Sequence, residues 1–252
     1  MMTSHRSDAC FKAEYFDDIY EFETSNFWFQ NRNELIIWAL ATYFPTIDSF
    51  LEIGCGTGFV LSEIEKSMPD LSLTGIDLFA EGLLKARQRV KRAALIEQDA
   101  RQLTLDADFD VSGAFDVLEH IDEDELVLRE LFRVCRQGLL ITVPQHEFLW
   151  SAVDEYSCHK RRYSRKELID KVTAAGFRVV YANSFMSLLM PVLAGQRIRK
   201  KKIEELDPLA EIQLNPAVNG LLSLVSSFER RLIKAGMKFP FGGSLLLVAQ
   251  KN

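Results

Sequence analysis

Residues 49–58, SFLEIGCGTG, decide how this chain folds. Phe50, Leu51 and Ile53 form a short apolar run that ends in three glycines, Gly54, Gly56 and Gly58, and residues 59–66 (FVLSEIEK) read as the first turns of a helix. A strand that runs through a glycine turn into a helix makes a ligand cradle. Glycine accepts positive φ and lets the backbone come close to a ligand, and the helix start offers N–H groups without intrahelical partners. A second apolar run, 71–76, ends on Asp77. It lies about 20 residues past the loop, the separation at which a carboxylate at the tip of the adjacent strand reaches a ribose diol.

The dinucleotide fingerprint needs a third glycine three places after the second, for close helix–strand packing. Position 59 is Phe, so the pattern here is G-x-G-x-G. Glu52 adds a carboxylate at the strand end, where a pyrophosphate would be repelled and an ammonium or a backbone amide would be welcome. Both features argue against a nicotinamide dinucleotide and for a nucleoside with a zwitterionic or cationic tail. The stretches LEIGCGTG, GIDL (75–78), QDA (98–100) and FDVLEHI (115–121) resemble the successive motifs of class I S-adenosylmethionine-dependent methyltransferases. In particular they are similar to the small-molecule type that includes the ubiquinone-biosynthesis methyltransferases. The resemblance spans roughly residues 30–183.

That resemblance implies S-adenosylmethionine as cofactor and S-adenosylhomocysteine as product. It gives Gly54, Gly56 and Gly58 the methionine tail, with Glu52 beside them, and Asp77 the ribose. Asp99, after the third strand, is placed to accept from the adenine amino group while the Ala100 N–H meets a ring nitrogen; a turn or N-cap aspartate is the plainer reading. Phe79 reads as an adenine stack or as a core aromatic. Leu78, Asp116 and Leu118 complete the implied cofactor set. Arg32, in a W-x-x-x-R segment from Trp28, is either a fork for the methionyl carboxylate or a solvated helix residue.

At 252 residues the chain suits one domain with insertions, and its 48% hydrophobic and 26% charged residues are ordinary for a soluble protein. A net charge of −6 gives no support for nucleic-acid binding through the whole surface. DNA amino-methyltransferases carry a proline-rich turn where this chain has DVLEH (116–120), so DNA is not the expected acceptor. The four cysteines (Cys10, Cys55, Cys135, Cys158) form no C-x-x-C pair and read as reduced thiols in a cytoplasmic protein. The N-terminus lacks an apolar signal core. No apolar run approaches the ~20 residues that span a bilayer.

Strand and helix patterns alternate: strands 49–53, 71–76, 94–97, 110–115, 138–143 and 177–183, with helices 58–67, 80–92, 122–136 and 165–175. Such alternation predicts an α/β, Rossmann-like, doubly wound parallel sheet. A run at 244–250 (SLLLVAQ) predicts a seventh, last strand, antiparallel to the rest. The expected layout is a single domain of 1–252: a helical cover over 1–45 with its helix at 31–44, a cofactor core at 46–184, a helical insertion at 185–240, and the last strand. Every motif falls at the carboxyl end of a strand, where ligands of such sheets bind.

Methyl transfer from a sulfonium is an in-line displacement needing alignment and desolvation. A hydroxyl acceptor also needs a base near neutrality. His120 and His159 are the candidates; for His120, a histidine that orders the loop by bonding backbone is the equal alternative. Residues 144–165 resemble the acceptor-side loop of a subgroup of these enzymes, through Trp150, Ser151, Asp154, His159, Arg161, Arg162 and Tyr163. His146, Trp150, Asp154, Arg162 and Tyr163 are its acceptor-contact candidates, and a solvated basic helix start is the plainer reading. No i,i+4 histidine pair or cysteine cluster marks a metal, so none is expected. The apolar stretch 185–195 beside Arg197, Arg199, Lys200, Lys201 and Lys202 suits peripheral contact with an anionic membrane through 185–202, or a helical lid with solvated lysines. The acceptor class is a small molecule or a lipid- or glycan-linked group, methylated at oxygen. Two rivals stay open: a nicotinamide oxidoreductase, and a silent relative that binds the nucleoside as a partner protein.

Overall fold

The computed structural model describes residues 13–105, 108–192, 195 and 213–251. Two helices come first, α1 (Ala13–Phe22) and α2 (Phe27–Tyr43). Helix α2 begins four residues before the sequence reading placed it, because the Asn26 side chain accepts from Trp28 N at 2.8 Å and caps the helix there.

Strands and helices then alternate as β1 (Ser49–Ile53), α3 (Phe59–Ser67), β2 (Ser72–Asp77), α4 (Ala80–Arg89), β3 (Ala94–Glu97), β4 (Phe109–Phe115), α5 (Asp124–Val134), β5 (Cys135–Pro144), α6 (Ala152–Tyr156), α7 (Arg165–Ala174), β6 (Arg178–Phe185), α8 (Pro216–Lys234) and β7 (Ser244–Gln250). The sheet has seven strands in the order β3-β2-β1-β4-β5-β7-β6. Six strands, β1 to β6, run in one direction, and β7 alone is reversed, lying antiparallel between β5 and β6. This is the Rossmann-like arrangement that the alternating pattern predicted, with the last strand reversed. Helix α4 stops at Arg89 rather than residue 92, since the N–H groups of Lys91 and Arg92 bond the Glu65 carboxylate at 3.0 and 2.6 Å. Strand β5 starts at Cys135, so helix α5 ends two residues earlier than expected.

Two apolar cores form because neighbouring strand residues point to opposite faces. Phe50, Leu140, Leu246 and Val248 face one side, where they pack with Ile36 and Leu40 of α2, Leu61 and Ile64 of α3 and Ile233 of α8. Leu51, Ile53, Leu139, Ile141, Leu245 and Leu247 face the other, against Val127, Leu128 and Leu131 of α5 and Leu168 and Val172 of α7. Helices therefore cover both faces, and ligand access is left to the carboxyl edge of the parallel strands.

Helix α8 supplies the helical element before the last strand, and it packs on α2 through the Arg230 Nη1 to Asn31 Oδ1 bond of 2.7 Å. The expected membrane contact falls largely on 193–194 and 196–202, which lie outside the described residues. No helix among the described residues is long and apolar enough to cross a membrane. Cys55 and Cys135 are free and buried. Cys158 is disulfide-bonded, which corrects the expectation of four reduced thiols; spacing along a chain does not report which sulfurs the fold brings together.

Candidate active site

The glycine loop leaves β1 and turns at once. Gly54 has φ +61°, and a Cβ there would stand 2.5 Å from Val117 Cγ2, so only glycine lets the β1 and β4 tips come this close. Cys55 N bonds Ile76 O at 2.9 Å and Gly56 N donates to Asp77 Oδ2 at 2.7 Å, tying the loop to the end of β2. Gly58 plays a different part from its two neighbours. It lies off the cavity wall, and a Cβ on it would meet Ala86 Cβ at 2.9 Å, so it serves the packing of α3 on α4.

A cavity of about 980 Å³ opens beyond these strand ends, within the range that holds small ligands. Glu52, Gly54, Gly56, Asp77, Leu78, Phe79, Asp99, Ala100, Asp116 and His120 all reach its wall. They come from the ends of β1, β2, β3 and β4, so residues spread over about 70 positions of sequence meet in one space. Asp77 is 6% exposed, and its other oxygen accepts from Phe79 N at 2.9 Å. Burial raises its pKa to about 6, opposed by those backbone N–H bonds. Glu52 is fully enclosed and its Oε2 has no hydrogen-bond partner. Burial pushes its carboxyl well above the ordinary range, against the pull of Arg32 and with the push of Asp77. An orphaned buried carboxylate beside an open glycine backbone fits the cationic end of an aminoacyl sulfonium. The donor set of Glu52, Asp77, Asp99 and the loop amides thus suits S-adenosylmethionine.

Asp99 accepts from Arg101 N at 2.9 Å and from Arg101 Nη2 at 2.7 Å, so a ligand's amino group would share this carboxylate with the guanidinium. Arg32 is on the wall, but its Nη1 donates to Asp116 Oδ2 at 2.6 Å and its guanidinium lies 4.9 Å from the Trp28 ring centroid. Leu118 is fully buried in the core and does not reach the cavity.

Helix α1 covers the loop from above. Glu23, 3% exposed, accepts from Thr57 Oγ1 at 2.5 Å and pairs with Arg89, and the Phe16 ring packs against Gly56 and Gly82. None of these contacts leaves a local signature in the sequence. A single carboxylate 34 positions before Thr57 carries no local signal.

The far end of the cavity is built by two loops that meet. Lys160 N bonds Glu119 O at 2.7 Å and joins the segment after β4 to the segment after α6. This brings the His120 and His159 rings to 4.7 Å between centroids. Burial holds His120 far down, to about 3, helped by His159. Asp154 anchors the second loop: it accepts from Ser151 N and Oγ at 2.7 and 2.9 Å, from Arg162 Nε and Nη2 at 2.8 Å each, and meets His159 Nδ1 at 2.8 Å. The histidine and the guanidinium hold the Asp154 carboxyl well below its usual range against the burial that would raise it. Glu119 stands between the loops, fully buried, with both carboxylate oxygens unpartnered and its carboxyl pushed well up by burial and by Asp116. Within DVLEH no local pattern sets Glu119 apart, because its neighbour His159 lies 40 positions on.

Of the acceptor-contact candidates, Asp154 and Arg162 reach the wall, while His146, Trp150 and Tyr163 do not. His146 packs between the rings of Phe148 and Phe241, at 5.3 and 5.7 Å. Trp150 Nε1 donates to Glu155 Oε1 at 2.6 Å. Tyr163 lies beneath the floor, where its hydroxyl donates to Asp124 Oδ2 at 2.7 Å.

Residues 51–142 match the family model described as methyltransferase domain. A malonyl-[acyl-carrier protein] O-methyltransferase of Bacillus cereus is 34% identical over 86 residues, 33% of this chain and 32% of that protein. A probable S-adenosylmethionine-dependent methyltransferase of Mycobacterium tuberculosis is 24% identical over 245 residues, 92% of this chain and 85% of that one. A phosphoethanolamine N-methyltransferase 2 of Haemonchus contortus, solved with S-adenosyl-L-methionine, shares the fold at a TM-score of 0.64 and 17% identity, covering 99% of this chain and 60% of that one. The chain thus spans about a third of the length of the Bacillus relative and most of the mycobacterial one.

Proposed function

We propose that the chain is a class I S-adenosylmethionine-dependent methyltransferase, a reading supported by the methyltransferase domain model over residues 51–142, and that it transfers a methyl group to an oxygen of a small-molecule or lipid- or glycan-linked acceptor. The observation that carries this reading is the meeting of Glu52, Asp77, Asp99 and His120 around one cavity, each from a different strand end. S-adenosylmethionine, when bound, supplies an electrophilic methyl on a sulfonium.

In this reading the Gly54 and Gly56 backbone and Glu52 receive the aminoacyl tail, with Arg32 and Asp116 at its carboxylate end. Asp77 holds the ribose hydroxyls, and Leu78, Asp99 and Ala100 receive the adenine. Asp154 and Arg162 stand on the acceptor side and set the position of His159. His159 activates the acceptor, while His120, its pKa held at about 3 by burial, stays neutral beside it and is too weak a base for that step. The cavity's Trp28, Phe29, Leu149 and Met186 supply apolar wall that keeps bulk water from the reacting atoms.

Incubation of the full chain with methyl-labelled S-adenosylmethionine and fractionated small-molecule and lipid extracts tests the proposal. The expected result is a labelled product heavier by one methylene, methylated at oxygen. Tight S-adenosylhomocysteine binding without turnover on any fraction would overturn it and favour a silent nucleoside-binding protein.

A further inference from the structure

The geometry points to a divalent transition-metal site formed by Glu119, His120 and His159 on the acceptor side of the cavity. One ligand atom from each of these residues lies within 4.8 Å of the others. Two imidazoles and one carboxylate form a common set for divalent first-row ions, which leaves further positions open. Ligands held ~2.0–2.2 Å from an ion stand about 3 Å apart, so small side-chain rotations close this set.

Three features favour an ion over a plain buried polar cluster. Glu119 is wholly buried on the cavity wall, and both of its oxygens lack a hydrogen-bond partner. Among the described residues the nearest basic side-chain atom to it is His159 Nε2 at 3.9 Å, beyond hydrogen-bond reach. Leaving a carboxylate so placed is costly unless something positive meets it. Next, His159 meets the Asp154 carboxylate through Nδ1 at 2.8 Å, which directs Nε2 toward Glu119. That carboxylate–histidine pairing is the support metal-bound imidazoles usually have. Arg162 in turn fixes Asp154 with two 2.8 Å bonds. Finally, the 2.7 Å bond from Lys160 N to Glu119 O locks the two ligand-bearing segments together.

An ion held here presents its open positions to the cavity, where an acceptor oxygen can coordinate, and the two histidines then activate the acceptor as ligands. Use of the ion by the acceptor rests on the methyl-transfer reading; uptake of the ion does not.

The test is calorimetric and spectroscopic titration of the chelator-stripped full chain with Co²⁺, in the absence of nucleoside. One equivalent with visible d–d absorption is expected. Glu119→Gln, an isosteric change, and His159→Ala should each weaken Co²⁺ by at least ~100-fold, and Asp154→Asn, a positioning change, by about 10–100-fold. S-adenosylhomocysteine affinity should hold in Glu119→Gln, which serves as the folding control. Absence of Co²⁺ uptake, or uptake that Glu119→Gln leaves unchanged, overturns the inference. Wild-type protein that binds S-adenosylhomocysteine but no ion sinks the metal site alone; ion uptake without S-adenosylhomocysteine binding sinks the methyltransferase reading alone.

Discussion

Gly56 N donates to Asp77 Oδ2 at 2.7 Å, so the tip of β2 and the glycine loop are a single hydrogen-bonded unit before any ligand arrives. The carboxylate proposed for the ribose is thereby aimed by the same backbone that forms the aminoacyl cradle. Two backbone N–H bonds fix its orientation, and burial raises its pKa to about 6.

That raised pKa gives a pH signature. The folded protein holds this proton more tightly than the unfolded chain, so the charge on Asp77 costs stability as pH rises through about 6. Hydrogen bonding to ribose hydroxyls needs the ionised form, so binding runs the other way. S-adenosylhomocysteine affinity should be full above pH 7 and fall by about tenfold per pH unit below pH 6. Calorimetry between pH 5 and 8 checks this, and a flat profile refutes it.

Gly54 and Val117 are packed too closely for a side chain between them. Gly54→Ala should destabilise by about 1–2 kcal/mol from its positive φ alone, and by more from the clash. Adding Val117→Ala should recover only the steric part. Urea unfolding of the two variants measures both; equal stability of Gly54→Ala and wild type contradicts the account.

Arg32 and Asp116 form a nearly buried ion pair, with side chains 8% and 14% exposed. Arg32→Ala strands the Asp116 carboxylate and should cost about 3–5 kcal/mol. Asp116→Asn in the same chain should restore part of that loss. Denaturant unfolding of the single and double variants gives the coupling.

For His120→Ala and His159→Ala, at least one variant should lose turnover while keeping S-adenosylhomocysteine affinity. Labelled-methyl turnover and calorimetry on the same preparations separate the two effects. Full rate in both removes the histidines from the chemistry.

The parallel sheet was legible because its evidence is local. Phe50 to Ile53 and the run 244–250 are apolar stretches bounded by glycine, and the Asp77, Asp99 and Asp116 motifs each close a strand. Their convergence follows from strand direction alone. What the sequence withheld was contact between distant segments. Glu119 meets His159 40 positions on, and Glu23 meets Thr57 and Arg89 across three elements, with no spacing rule to announce either. Tyr163 and Trp150 were misleading for a related reason. Polar aromatic residues in a loop suit a ligand wall, but Tyr163 turned inward to satisfy Asp124 and Trp150 turned toward Glu155. Gly58 belonged to the glycine pattern by position, yet its missing side chain makes room for Ala86.

The strand-tip cavity as a seat for S-adenosylmethionine is tested most directly by calorimetric titration of S-adenosylhomocysteine into wild type and Asp77→Ala at pH 7.5. One site is predicted in wild type and no measurable binding in a folded Asp77→Ala. A wild type that takes up no S-adenosylhomocysteine, or an Asp77→Ala that binds it as well as wild type, would contradict the account.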